Sequence, residues 1–242
     1  MAAELKLSEL ISPTPKQLAF IEAAKSHEYT LYGGAAGGGK SHILRWWLVL
    51  FLLQCHREGH SNVRVGLFCE DYPTLNDRHL ARIRYDFPEE LGSYREASDR
   101  REFTLRSHLG GGVIAFRNLD NYRKYKSAEF AALAVDELTM NDRDLFDWLD
   151  TRKRWPGIEK PKFVAATNPG GPGHFWVKKL WIDRDFSGED ESLDPEQFAF
   201  VPAFVQDNPH LSQSYWRTLE AKPEAIRRAL ASETLFRVPE DQ

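Results

Sequence analysis

The chain has 242 residues, of which 42% are hydrophobic and 28% charged, and a formal net charge of -4. This composition excludes disordered, fibrous and disulfide-stapled classes and suits one large α/β domain, or such a domain with a small appendage. The most apolar run, Trp46 to Leu53, is far too short to cross a membrane, and residues 1–20 lack a secretory signal, so no membrane partner is expected. The charge balance gives no global attraction to nucleic acid but leaves room for a local basic face. Cys55 and Cys69 show no metal-ligand spacing and read as reduced thiols.

Residues 1–16 read as an N-terminal arm that includes Pro13 and Pro15. A short helix is expected from Lys16 to about Ser26, then a strand at Tyr29-Thr30-Leu31-Tyr32 and a helix from Ile43 to Gln54. Between strand and helix lies Gly34-Ala35-Ala36-Gly37-Gly38-Gly39-Lys40-Ser41, which fits the phosphate-loop pattern without a mismatch. Glycines let such a loop turn backbone N–H groups onto phosphates, and the following helix N-terminus favours the same charge. In that pattern Lys40 reaches the β- and γ-phosphates of a nucleotide and the Ser41 hydroxyl ligates Mg²⁺. Gln17, in Pro13-Thr14-Pro15-Lys16-Gln17, has an amide that could match the N6/N7 edge of adenine, although such a helix residue is more often solvated.

Asn62 to Glu70 has the pattern of a buried strand, and Thr74 to about Asp86 that of a helix ending before Pro88. Glu102–Arg106 and Val113–Arg117 alternate around Gly110-Gly111-Gly112, which predicts a β-hairpin. The apolar strand Phe130 to Val135 runs into Asp136-Glu137. A strand with that ending suits a hydrolysing nucleotide enzyme: Asp136 would hold Mg²⁺ and Glu137 would polarise the attacking water. It is expected to lie beside the phosphate-loop strand. A helix from Asp142 to about Arg154 stops at Pro156-Gly157, and Lys162 to Thr167 is a second buried strand with polar residues at its tip. Thr167 and Asn168 are expected to face the γ-phosphate there, in a turn built from Asn-Pro-Gly-Gly-Pro-Gly.

A helix at Phe175–Trp181, an acidic loop at 183–196, a strand at Phe198–Phe204 and two helices near Ser212–Ala221 and Pro223–Ala231 complete the chain. Apolar strands alternating with helices argue for a mostly parallel sheet covered on both faces. Basic pairs are ordinarily solvated, but Arg123, Lys124 and Lys126 precede the Asp-Glu strand in a polar loop with Tyr122 and Tyr125 interleaved. That loop could offer an arginine to a neighbour's γ-phosphate or meet a nucleic-acid backbone.

Together these residues resemble the ATPase domain of the large terminase subunit of tailed bacteriophages. The resemblance rests on Tyr32–Ser41, on Tyr125-Lys126-Ser127-Ala128-Glu129-Phe130 leading into Val135-Asp136-Glu137-Leu138-Thr139, and on Thr151-Arg152-Lys153-Arg154. Ala166-Thr167-Asn168-Pro169-Gly170-Gly171-Pro172-Gly173-His174 and Asp207-Asn208-Pro209-His210-Leu211 carry it further, and it covers about residues 13–231. It implies a P-loop NTPase of the RecA-like (ASCE) class over residues 17–205, with a C-terminal helical lid or linker over 206–242. It implies ATP and Mg²⁺ as ligands, Gln17 reading adenine, Glu137 as catalytic base, and Thr167 and Asn168 coupling hydrolysis to movement. No arginine lies within the phosphate loop, so a finger from a neighbouring subunit is expected, Arg123 first, with Lys124, Lys126 and Arg152 as alternates. Double-stranded DNA, the procapsid portal and the terminase small subunit are the implied partners. The implied assembly is a homo-oligomeric ring, with a monomer in isolation, in the cytoplasm of the infected bacterial host. The family's nuclease domain is expected to be absent, and where family members usually continue after Ala-Leu with a motif ending in Asp-Trp, Ala231-Ser232-Glu233-Thr234-Leu235 stands here. Residue chemistry alone leaves open a small-molecule kinase, a RecA-like helicase and a nucleotide-gated assembly module.

Overall fold

The structure is a computed structural model that describes residues 10–34, 39–97, 100–204, 207 and 217. Its frame is one sheet of eight strands: β1 (Tyr29–Gly34), β2 (Arg64–Cys69), β3 (Gly92–Ala97), β4 (Arg100–Leu105), β5 (Val113–Asn118), β6 (Ala132–Asp136), β7 (Lys162–Thr167) and β8 (Phe198–Ala203). The order across the sheet is β3-β4-β5-β2-β6-β7-β1-β8. From β5 to β8 every neighbouring pair is parallel, and β4 and β3 extend one edge antiparallel. The sheet is therefore mostly parallel, as the alternation of elements predicts. The strand that ends in Asp136 does not lie beside β1, however: β7 is inserted between them, with Leu31 opposite Ala165 and Val135 opposite Ala165 on its other side. Insertion of β7 brings Thr167 and Asn168 between the phosphate loop and Asp136, an order that spacing along the chain does not specify.

Continuous apolar runs in β1, β2, β6 and β7 resolve into two faces with period two. Tyr32, Val65, Leu67, Ala132, Ala134, Val164 and Ala166 pack under α1 (Pro15–Ser26), α2 (Lys40–Arg57) and α3 (residues 72–86). Leu31, Leu133, Val135, Phe163 and Ala165 pack under α4 (Arg143–Asp150) and α5 (residues 174–182). Among the described residues no helix is long and apolar enough to cross a membrane.

Local sequence explains most element ends. Thr14 caps α1 in a capping box with Gln17, and Pro15 takes the first turn, where its missing N–H costs nothing. Asp71 Oδ1 accepts from Thr74 N at 2.7 Å, so α3 starts at Tyr72, slightly before the expected Thr74. Its middle turn, Asn76–Leu80, is π-helical, and α5 likewise changes from α-helix (His174–Val177) to π-helix (Lys178–Ile182). α4 stops short of the expected Arg154 because the chain leaves the helix to bond β6: Arg152 O accepts from Phe130 N at 3.0 Å. The hairpin of β4 and β5 is present as expected. Strand β3 is not predicted by the sequence; its residues, Gly-Ser-Tyr-Arg-Glu-Ala, are mostly exposed and carry no apolar alternation. The expected helices near 212–221 and 223–231 lie outside the described residues, apart from Arg217.

Candidate active site

All six parallel strands end on one edge of the sheet, and the chemistry-bearing residues gather there. β1 ends at Gly34 and α2 begins after Gly39; Ala35, Ala36, Gly37 and Gly38 lie outside the described residues. Gly39 caps α2 with a φ of 67°, a conformation that favours glycine, and a Cβ there would push against the amide end of Gln17 at 2.7 Å. Gln17 is buried, not solvated. Its Oε1 accepts from Thr14 N at 2.9 Å and its Nε2 donates to Gly39 O at 3.2 Å, which ties α1 to the foot of the phosphate loop.

Lys40 is buried at the start of α2, and its Nζ donates to Asn168 Oδ1 at 3.0 Å. Burial pushes its ammonium down to about 8, against the pull of Glu137 and Asp136. Ser41 Oγ donates to Asp136 Oδ2 at 2.6 Å. Burial raises the Asp136 carboxyl, but hydrogen bonds from His79 and Ser41 and the nearby Arg78 charge outweigh it and leave it at about 2. Asp136 is thus ionised throughout the neutral range. The Ser41 hydroxyl and Asp136 carboxylate are the hard oxygen donors that Mg²⁺ selects. Cys69 and His79 have ligand atoms within 4.8 Å of each other and of Asp136, but sulfur and nitrogen do not suit that ion.

Glu137 follows in the left-handed backbone region, φ 53° and ψ 54°, a costly conformation for a residue with a Cβ. Its Oε1 accepts from Arg78 Nη1 at 2.5 Å and from Asn168 Nδ2 at 2.9 Å, and its Oε2 accepts from Asn168 N at 3.3 Å. Asn168 therefore holds Glu137 with its backbone and side-chain nitrogens and Lys40 with its side-chain oxygen. Thr167 is placed differently from the expectation. It is fully buried, its Oγ1 lies 2.6 Å from Thr139 Oγ1 and it accepts from Thr139 N at 3.1 Å. It fastens β7 to the turn after Glu137 with a fully buried side chain.

Two residues of the site escape sequence reasoning. Arg78 and His79 come from α3, on opposite sides of a peptide bond, and reach Glu137 and Asp136 respectively. Their only sequence signal is adjacency on a helix following β2, since no motif spacing links them to the Asp-Glu pair. The basic loop lies elsewhere. Arg123, Lys124 and Lys126 are exposed around a short 3₁₀ turn, Tyr122–Tyr125, with Tyr122 edge-on to Trp148 of α4. Arg152 stacks its guanidinium 5.4 Å over Trp148 and donates to Lys126 O. Its backbone sits by Phe130, two residues before β6, which places it roughly 20 Å from Asp136 at about 3.3 Å per strand residue. None of these four pairs with Asp136 or Glu137 of its own chain among the described residues.

The model of one protein family, terminase large subunit, T4likevirus-type, N-terminal, matches residues 31–235. The large terminase of a thermophilic bacteriophage has a similar structure, with a TM-score of 0.69 and 14% identity over 89% of this chain and 52% of that one. The same terminase in complex with ADP matches with a TM-score of 0.68 and 14% identity, over 89% and 52% of the two chains. The large terminase ATPase domain of Thermus phage P74-26 matches with a TM-score of 0.62 and 14% identity, over 94% of this chain and 96% of that one. At these identities the likeness establishes the fold, which is that of a large terminase ATPase domain. The chain spans about half the length of the first of these terminases. No curated protein matches.

Proposed function

The chain belongs to the family of T4-like terminase large-subunit N-terminal domains, and from that premise we propose that it is an ATP-hydrolysing motor domain that moves double-stranded DNA into a procapsid. The observation that carries this reading is the Lys40–Asn168–Glu137 chain beside the Ser41–Asp136 pair, at the edge where six parallel strands end. ATP would lie over Gly34–Ser41, with its phosphates at the N-terminus of α2. Lys40 would exchange Asn168 Oδ1 for the β- and γ-phosphates. Ser41 and Asp136 would hold Mg²⁺, which when bound neutralises phosphate charge. Glu137 is an acceptor-only carboxylate while ionised, suited to take a proton from the attacking water. The water oxygen bonds to the γ-phosphorus as the bond to the β–γ bridging oxygen breaks. Departure of Lys40 from Asn168 would free the amide that also holds Glu137. Loss of the γ-phosphate would in turn be felt at β7 and, through Thr167, at the turn after β6.

Gln17 as adenine reader would use the second hydrogen of the Nε2 that already holds Gly39 O, which would link base binding to the phosphate loop. A neighbouring copy in a ring would supply the arginine, with Arg123 the first choice and Lys124, Lys126 and Arg152 as alternates. The portal of a procapsid and the terminase small subunit are the proposed partners, in the cytoplasm of an infected bacterium. The test is ATP turnover with and without duplex DNA and portal-bound procapsid. Phosphate release without any added acceptor, stimulated by duplex more than by single strands, is expected. Turnover that requires a small-molecule acceptor would replace the motor by a kinase, and strand separation would replace it by a helicase.

A further inference from the structure

Asp136 Oδ2 receives two hydrogen bonds of different origin. Ser41 Oγ donates at 2.6 Å from the helix of the phosphate loop, and His79 Nε2 lies 3.0 Å away on α3. The direction of the second bond is fixed by a third residue. His79 Nδ1 lies 3.1 Å from Arg45 Nη1, and a guanidinium only donates. Nδ1 is therefore the acceptor, and the ring carries its proton on Nε2, aimed at Asp136. Arg45 is itself held: its Nε donates to Asp86 Oδ2 at 2.7 Å and its Nη1 to Arg78 O at 2.8 Å. Arg45, His79 and Asp136 are buried. The π-helical turn Asn76–Leu80 allows the consecutive residues Arg78 and His79 to address consecutive carboxylates, and such turns are frequent at functional sites.

We propose that His79 is a positioning residue for Asp136, and that Asp86 and Arg45 act behind it by fixing the tautomer that donates. The proposal rests on the reading of Asp136 as a Mg²⁺ ligand. A neutral ring can orient a carboxylate without cancelling the charge that a cation needs; an imidazolium could not. The donated bond shares Oδ2 with the bond from Ser41 and holds the carboxylate plane, so that the carboxylate stays beside the Ser41 hydroxyl. Asp86, at the far end of α3, thereby gains a mechanical path to the metal position without touching the nucleotide.

Two measurements test this. In nucleotide-free protein labelled with ¹⁵N-histidine, NMR should show His79 as the Nε2–H tautomer. In Mg²⁺ titrations of AMP-PNP binding, His79→Leu should raise the Mg²⁺ midpoint about tenfold while leaving binding in EDTA unchanged, and His79→Gln, which keeps an N–H donor, should recover most of the loss. Asp86→Asn, which leaves His79 in place, should shift the midpoint in the same direction by less and serves if His79→Leu does not fold. An Nδ1–H tautomer, or an unshifted midpoint in a folded variant of a Mg²⁺-dependent protein, would overturn the proposal alone. Wild-type binding indifferent to Mg²⁺ would remove both the metal role of Asp136 and this proposal.

Discussion

Glu137 and Lys40 are joined through one amide, and each makes a prediction of its own. Glu137→Gln keeps the shape of the side chain and, through its one remaining oxygen, the bonds from Arg78 and Asn168 Nδ2, but loses the bond from Asn168 N and removes the proton acceptor. Turnover is expected to fall by about 10²–10⁴-fold with nucleotide affinity retained, as measured by phosphate release beside equilibrium binding. Retained turnover would remove Glu137 from the role of base. Lys40 makes the second prediction, because its ammonium is held down to about 8 by burial in the absence of nucleotide. Phosphates placed beside it would raise it again. Between those two values binding must take up a proton, so affinity is expected to fall as the pH rises through about 8, by as much as tenfold per pH unit. Calorimetry in buffers of different ionisation enthalpy would register the uptake. No proton uptake above that pH would mean that the lysine is charged before nucleotide arrives. The same depressed value makes the folded chain less proton-rich than the unfolded one between about 8 and 10.5, so this group alone makes stability rise with pH in that window.

At the scale of elements the site depends on how strand ends are fastened. Gly34 has a φ of 145°, and a Cβ there would lie 1.8 Å from Ala203 O of β8. Gly34→Ala is expected to force β8 away from β1 and to cost at least about 3 kcal/mol in urea denaturation. Thr167→Val tests the inward placement of that side chain. It leaves the buried Thr139 N–H without its acceptor, while the Thr139 hydroxyl keeps its bond to Asn168 O, at a cost of about 1–3 kcal/mol. If Thr167 faced the phosphate instead, turnover would fall with little loss of stability. Much of this level is legible in the sequence. The phosphate-loop helix, the two buried strands ending at Asp136 and Thr167, and the β4–β5 hairpin follow from apolar periodicity and from glycine placement. β3 is illegible because a two-sided polar edge strand has no periodicity to read. The end of α4 differs from its sequence expectation because a bond to Phe130, distant in sequence, outcompetes one more helical turn.

Across the whole molecule the sheet separates two apolar layers, one under α1–α3 and one under α4 and α5. Phe146 of α4 is buried in the second layer against Phe163 of β7, their centroids 5.0 Å apart. Phe146→Ala is expected to cost about 3–5 kcal/mol, read from denaturant midpoints, by opening a cavity under the strand that carries Asn168. The basic loop of Arg123, Lys124 and Lys126 packs its tyrosines on this layer and leaves its three cations exposed, which suits a contribution to a neighbour. Mixing an Arg123→Ala subunit with a Lys40→Ala subunit should restore turnover that neither has alone. With both variants folded, no recovery would argue against Arg123.

By itself the sequence determined a glycine-rich junction between β1 and α2, the residues at the tips of the buried strands and the mostly parallel class of the sheet. These are local properties: a glycine pattern, a run of apolar residues, a carboxylate pair at a strand end. Only the tertiary structure decided that β7 separates β6 from β1, that Asn168 spans Lys40 and Glu137 while Thr167 is buried against Thr139, and that Arg78 and His79 complete the site. Lateral strand order and contacts between distant helices are fixed by how crossover connections pack on the two faces of the sheet, and no spacing along the chain encodes that.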